Sequence, residues 1–325
     1  MNTERKLSRR HIAVAGMLSA AVATIAPNLS RPANARVGSQ FSTPSASPLA
    51  VASRAYGRPS LLVDPGSIAA GHQIVALTPA RDFGTAHLPG AIQLDWPELE
   101  VTDTSDESIA QWAASMRDIA SSFEASTGSI IAYDGGTLFA ARLWWVLFYL
   151  GYPEAQVLNG GLAAWTSSGD AVVKGVNPST SATLGAKPSA SAAPAAPAVR
   201  RGSLATLRDV EGAIGTSDVI LLDVRAKDEY VAGHVPGAVN LSYTLNAEEG
   251  SPPRWKPAAE LSAMYAAIGV TPNKTIVPYC STGVRSAVTF FTLWLLGFDQ
   301  VALYTGSWAE WGKNPSTPKR TGDRP

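Results

Sequence analysis

The residue best equipped for chemistry is Cys280, the one cysteine of the chain. It opens the run Cys280-Ser281-Thr282-Gly283-Val284-Arg285. Before it lies an apolar segment, Thr275 to Tyr279, that reads as a strand. After it, Ser286 to Leu296 reads as a helix, with Gly297 as its stop. A lone thiol cannot close a disulfide within its own chain. Where a strand hands over to a helix, it lies among backbone N–H groups facing the helix's positive end, which favours a thiolate nucleophile. Gly283 permits a tight turn, and successive N–H groups of so short a loop can point inward around the sulfur. Arg285 closes the loop. Its planar cationic fork could bind a sulfonate or a carboxylate, or it turns outward into a salt bridge that anchors the helix start. The opposing possibility for Cys280 is an inert buried thiol, a small hydrophobe.

The elements that position this loop occur twice. His87-Leu88-Pro89-Gly90-Ala91-Ile92 recurs 147 residues later as His234-Val235-Pro236-Gly237-Ala238-Val239. Tyr133 recurs as Tyr279, Gly151 as Gly297, and Gly160-Gly161-Leu162-Ala163-Ala164-Trp165 as Gly306-Ser307-Trp308-Ala309-Glu310-Trp311, each 146 residues on. A period this long indicates a duplicated domain, not a solenoid. In the second copy, Val219 to Val224 reads as a buried strand, Pro257 to Ile268 as a helix and Gln300 to Tyr304 as a last short strand. Strands alternating with helices predict a mostly parallel sheet covered on both faces. The tryptophans Trp144, Trp145, Trp165, Trp308 and Trp311 are most simply core and loop packing. His87 and His234 occur in both copies, including the one without a cysteine, so they read as scaffold.

Composition narrows the function. Hydrophobic residues make up 46% of the 325, enough for two cores, and 26 basic residues balance 26 acidic ones. That balance points to neither a nucleic-acid surface nor an anionic membrane. Four histidines, one cysteine and no HxxxH or CxxC spacing argue against a bound metal, and nothing calls for a cofactor. Residues 1–35 read as an address. Ser8-Arg9-Arg10-His11-Ile12-Ala13-Val14 is a twin-arginine pattern ahead of an apolar stretch, and Ala33-Asn34-Ala35 suits cleavage before Arg36. Export to the periplasm or beyond is expected, with no membrane association after cleavage. Residues 36–55 read as a flexible segment and 174–200 as an Ala/Pro/Ser-rich linker.

Asp223-Val224-Arg225, Glu229-Tyr230-x-x-Gly233-His234-x-Pro236-Gly237-Ala238, the Cys280 loop and Gly306-Ser307-Trp308-x-x-Trp311 together resemble the rhodanese family of sulfurtransferases, in its tandem two-domain form. The resemblance covers roughly residues 57–315 and implies an α/β fold of two tandem domains, each a mostly parallel sheet flanked by helices. It implies an inactive domain at 56–173, a catalytic one at 201–315 and a tail at 316–325. Aligning the tyrosines puts Asp134 opposite Cys280; aligning the histidines puts Ala76 opposite Asp223 and Thr78 opposite Arg225. A carboxylate cannot hold a transferable sulfur, so the first copy is expected to pack against the second and wall one side of its pocket.

The chemistry implied is sulfane-sulfur transfer from thiosulfate or 3-mercaptopyruvate, through a Cys280 persulfide, to cyanide or a thiol, a protein thiol included. The binding loop would be Ser281, Thr282, Gly283, Val284 and Arg285. The resemblance also places Arg225 near the site, as an anion contact or as an ion pair with Asp223 or Glu229. Loops that favour thiosulfate tend to be basic and those that favour mercaptopyruvate small; neutral Ser281-Thr282 matches neither type. Arg254 and Lys256, flanking Trp255, could add positive potential at the pocket mouth. A cysteine phosphatase needs Cys-x5-Arg, and here Arg285 comes one residue too early. A persulfide carrier without turnover, or a partner-binding envelope protein, is the other alternative.

Overall fold

The computed structural model describes residues 55–68, 71–123, 129–152, 155–175 and 198–325. The expected leader, nearly all of the segment after it and most of the linker lie outside these residues.

The first half contains β1 (Leu62–Val63), β2 (Gln73–Leu77), α1 (Ala80–Thr85), β3 (Ile92–Leu94), α2 (Asp106–Ser121), β4 (Ile130–Tyr133), α3 (Ala140–Tyr149), β5 (Gln156–Leu158) and α4 (Gly161–Ser167). Its strands pair in the order β1-β5-β4-β2-β3, all parallel. The second half contains β6 (Leu204–Ala205), α5 (Leu207–Ala213), β7 (Val219–Asp223), α6 (Lys227–Ala232), β8 (Val239–Asn240), α7 (Ala258–Ala267), β9 (Thr275–Tyr279), α8 (Val284–Leu296), β10 (Leu303–Tyr304) and α9 (Ser307–Trp311). Here β8-β7-β9 and β10-β6 form two parallel ladders, bridged between Ile276 and Val301. The order of the first half is thereby repeated. Ala76 sits beside Tyr133, and Asp223 beside Tyr279, at the same register.

Two elements differ from expectation by more than one residue at an end. Helix α8 begins at Val284, two residues early, because Gly283 at φ 91° turns the chain directly into the helix. The last strand is pared to Leu303–Tyr304, with Val301 held by its single bridge.

Helices α3 and α8 form the spine of the molecule. All ten residues of α3 are buried, the signature of a helix enclosed on every side. Trp144 meets Phe291 edge-on at 4.9 Å, and Phe148 meets Trp294 at 4.7 Å, so one aromatic core spans both halves. Such pairs add about 0.5–1.5 kcal/mol each beyond their buried area.

Both histidines are built into turns. The Nδ1 atoms of His87 and His234 bond the carbonyls of Phe83 and Tyr230 at 2.9 and 2.8 Å, and each ring stacks on that same residue at 3.8 Å. The phenols of Tyr133 and Tyr279 accept from Leu88 N–H and Val235 N–H, both at 3.1 Å. Among the described residues no helix is long and apolar enough to cross a membrane, and no cluster of three or more metal-ligating side chains occurs.

Candidate active site

Cys280 follows directly on β9, at the C-terminal edge of the parallel sheet, and is buried to 1% exposure. Its sulfur accepts from the Gly283 N–H at 3.2 Å and from the Ser286 hydroxyl at 3.6 Å. The loop thus turns a backbone donor and the first turn of α8 toward the sulfur, as an anion site at a helix start requires. A Cβ on Gly283 would meet the Thr305 carbonyl oxygen at 2.8 Å and its hydroxyl at 2.9 Å. That close approach, together with the positive φ, makes glycine the fitting residue there.

The start of α9 clamps the cysteine from behind. Ser307 accepts from the Cys280 N–H at 3.1 Å and donates to the Tyr304 carbonyl at 2.8 Å. The Cys280 carbonyl accepts from Trp308 N–H at 3.0 Å, and that of Ser281 from Ala309 N–H at 2.9 Å. Ser307 is held at φ 54°, a left-handed conformation that costs a non-glycine residue of order 1–3 kcal/mol. In the sequence Gly306-Ser307-Trp308 stood out as a repeated landmark and as part of the family resemblance; the clamp shows what it does.

Of the two alternatives for Arg285, the salt bridge is the one adopted. Its fork grips Glu229 on α6 at 2.7 and 2.9 Å and also donates to the Ser281 hydroxyl. These hydrogen bonds hold the Glu229 carboxyl down at about 2 and raise the Arg285 guanidinium further. The cation nonetheless lies within the electrostatic reach of Cys280. Ser281 and Thr282 are half-buried at the rim, and Val284 is buried beneath it.

Of the two alternatives for Arg225, an anion contact or an ion pair, the structure shows the ion pair, with Asp223. Its Nη2 atom donates to Asp223 at 2.6 Å and to the Gly233 carbonyl at 2.6 Å, its Nε donates to Asp223 at 3.0 and 3.1 Å, and its guanidinium lies 4.6 Å from the Trp308 ring. Both side chains of the pair are at most 3% exposed. The guanidinium is spent on tying the end of β7 to the turn after α6. Arg254 likewise pairs with Asp64 of the first half at 2.6 Å, so its charge is not left for a pocket mouth. Trp255 is buried and donates to Thr292 at 2.9 Å.

The first half contributes more than a wall. Arg142 on α3 is completely buried, and Cys280 and Glu100 are the acidic groups within its electrostatic reach. Sequence reading passed over it, although it is the one charged residue in the apolar run Ala140–Tyr149. Asp134 occupies the cysteine's place in the first copy and fills its own loop, accepting from Gly136, Thr137 and Ala140 N–H at 2.5, 2.7 and 2.7 Å. Tyr243 stands between the two loops. Burial raises its phenol above the ordinary range, Arg285 opposes this, and Cys280 and Asp134 reinforce it.

A thiol at the end of a parallel strand, met by an N–H and an O–H donor, has the surroundings in which a thiolate nucleophile can attack an electrophilic sulfur. Comparison with known proteins agrees. The family model for the rhodanese-like domain matches residues 66–168 and 206–314. A probable 3-mercaptopyruvate sulfurtransferase of Pseudomonas aeruginosa is 35% identical over 206 residues, 60% of this chain and 68% of the relative. A thiosulfate sulfurtransferase of the same organism is 28% identical over 255 residues, 75% of this chain and 89% of the relative. The crystal structure of YnjE shares the fold, with a TM-score of 0.63 at 23% identity, over 82% of this chain and 70% of that one. This chain belongs to the rhodanese family, in its tandem two-domain form.

Proposed function

We propose that the protein is a sulfurtransferase in which Cys280 carries the sulfur. The Cys280 thiolate attacks the outer sulfur of thiosulfate; a bond forms between the two sulfurs, the donor's S–S bond breaks, and sulfite leaves with the electron pair. With 3-mercaptopyruvate the C–S bond breaks instead, and pyruvate leaves after taking a proton on carbon. Either route leaves a Cys280 persulfide. A cyanide carbon or a thiolate then attacks the outer sulfur, and thiocyanate or a new persulfide departs as the Cys280 thiolate returns. This is covalent catalysis with ping-pong kinetics.

One observation carries the reading: the Cys280 sulfur is buried at the end of β9 with the Gly283 N–H and the Ser286 hydroxyl both directed at it. The names of the two relatives support thiosulfate and 3-mercaptopyruvate as the donors to try first. The test is intact-mass spectrometry after incubation with each donor. The wild type should gain one sulfur atom, and Cys280→Ser none; no adduct with either donor sinks the proposal. A persulfide that forms but yields no thiocyanate from cyanide identifies a carrier. The twin-arginine pattern at Ser8-Arg9-Arg10 supports transfer outside the cytoplasm. Determining the N-terminus of the protein recovered from its native host tests that part, with Arg36 as the expected first residue.

A further inference from the structure

Arg142 presents a problem in electrostatics. It lies in the first turn of a helix whose other residues carry no charge, at 0% exposure. Burying a cation without a counter-charge is strongly unfavourable. Yet no carboxylate of the described residues forms an ion pair with it, and its Nε and Nη1 atoms have no hydrogen-bond partner there. Only Nη2 is engaged, donating to the Leu99 carbonyl at 2.5 Å and to the Thr305 hydroxyl at 3.2 Å. The guanidinium is otherwise bounded by the Trp145 ring at 4.7 Å.

Thr305 ties this cation to the sulfur loop. Its hydroxyl donates to the Val101 carbonyl at 3.2 Å, and the same residue is the wall against which Gly283 packs. Gly283 in turn donates its N–H to the Cys280 sulfur. A connected path therefore runs from α3, in the half without a cysteine, to the cysteine of the other half. Burial pulls the Arg142 guanidinium down to about 10, still charged at neutral pH, while Cys280 and Glu100 pull it back up.

We infer that Arg142 is the buried counter-cation of the Cys280 thiolate and persulfide, a positioning residue that the first domain supplies to the second domain's nucleophile. The inference rests on Cys280 being the nucleophile. The other groups facing Cys280 are Arg285 on α8, paired with Glu229 of α6, Tyr243 on the turn 243–246, and the hydroxyls of Ser286 and Ser307. Asp134 reaches the same region through Tyr243, and Glu100 faces Arg142 from the segment after residue 99. Arg285 is partly exposed and already paired with Glu229, whereas Arg142 is fully buried, forms no ion pair among the described residues and has Glu100 as the one carboxylate that faces it.

The test is the ultraviolet titration of the thiolate, with the Cys280→Ser spectrum subtracted; a single cysteine makes the signal unambiguous. In Arg142→Met the thiolate band should develop about one pH unit higher than in the wild type. Arg142→Lys should shift less, and Thr305→Val, which releases the cation without removing it, should shift in the same direction. The Arg142→Met shift should survive high salt, because the pair is buried. A folded Arg142→Met protein that titrates like the wild type overturns the inference. If that variant does not fold, wild-type titration in both Arg142→Lys and Thr305→Val overturns it. The titration uses no sulfur donor, so its outcome is independent of whether the wild type takes up a sulfur atom.

Discussion

The two strand-to-helix loops, Asp134 after β4 and Cys280 after β9, occupy the same place in the two copies but hold different acceptors and enter their helices differently: α8 starts at Val284, the equivalent of residue 138, and α3 only at Ala140. The carboxylate of Asp134 has two oxygens and satisfies three N–H donors by itself. The loop is thus filled by its own side chain. Cys280 has a single sulfur and takes one N–H and one hydroxyl. A persulfide would add one more sulfur atom to such a site, whereas a carboxylate cannot hold a transferable sulfur. The surroundings differ too. At the 146-residue offset, Phe139 stands where Arg285 is and Ala140 where Ser286 is, while Arg142 corresponds to Val288. One copy fills its loop with a carboxylate; the other holds a thiol there, and its loop packs on Thr305, which the buried Arg142 of the first copy reaches.

The comparison breaks most sharply at the nucleophile. Cys280→Ser should abolish sulfur uptake altogether. Moving the thiol, in a Cys280→Ser/Asp134→Cys double variant, should not restore it, since the first loop lacks the counterparts of Arg285 and Ser286. A sulfur adduct on the transplanted cysteine, seen by intact mass, would show that the loop backbone alone suffices.

Next in size is the seam between the halves. Trp144→Ala removes a ring packed against Phe290 and Phe291 and should cost about 3–5 kcal/mol in denaturant unfolding. If both copies form one core, the unfolding midpoint should fall as a single transition. Two separated transitions would mean that the halves are energetically independent.

A smaller effect is expected at Gly283. Gly283→Ala forces an L side chain into a left-handed backbone, at about 1–2 kcal/mol, and against Thr305. Sulfur transfer should fall more than stability does, because the displaced groups are the N–H that faces the sulfur and the threonine that holds Arg142.

The smallest expected effect is one of sign. Arg285 holds Glu229 at about 2, below its ordinary 4.5, so Glu229 stabilises the fold above 4.5 and that contribution fades as pH falls toward 2. Burial raises Asp134 above its ordinary 3.8, against the pull of its N–H donors. Its contribution is therefore fullest below 3.8 and is lost as pH rises through the raised value. On acidification, the Tm advantage of wild type over Glu229→Gln should shrink, while wild type should gain on Asp134→Asn. Parallel behaviour of the two variants would remove the electrostatic distinction between the loops.

Much of this site was legible in the residues. Cys280, Gly283 and the strand and helix around them stand within a few positions of each other, and local spacing determines a strand-to-helix turn. The duplication separated scaffold from chemistry, since His87 and His234 recur while the cysteine does not. Arg225 and Arg285 were legible as cations near the loop but not as to their partners, because each had more than one acidic residue within reach.

What sequence alone settles here is the tandem α/β repeat, the single cysteine and the loop that carries it. These follow from short-range periodicity, turn chemistry and internal comparison. The tertiary structure decided the electrostatics. Glu229 meets Arg285, and Arg142 meets Thr305, across separations of 56 and 163 residues. A charge acts through distance and burial, not through position along the chain, so only the packed halves could show that a buried cation of the cysteine-free copy reaches Thr305, against which the other copy's sulfur loop packs.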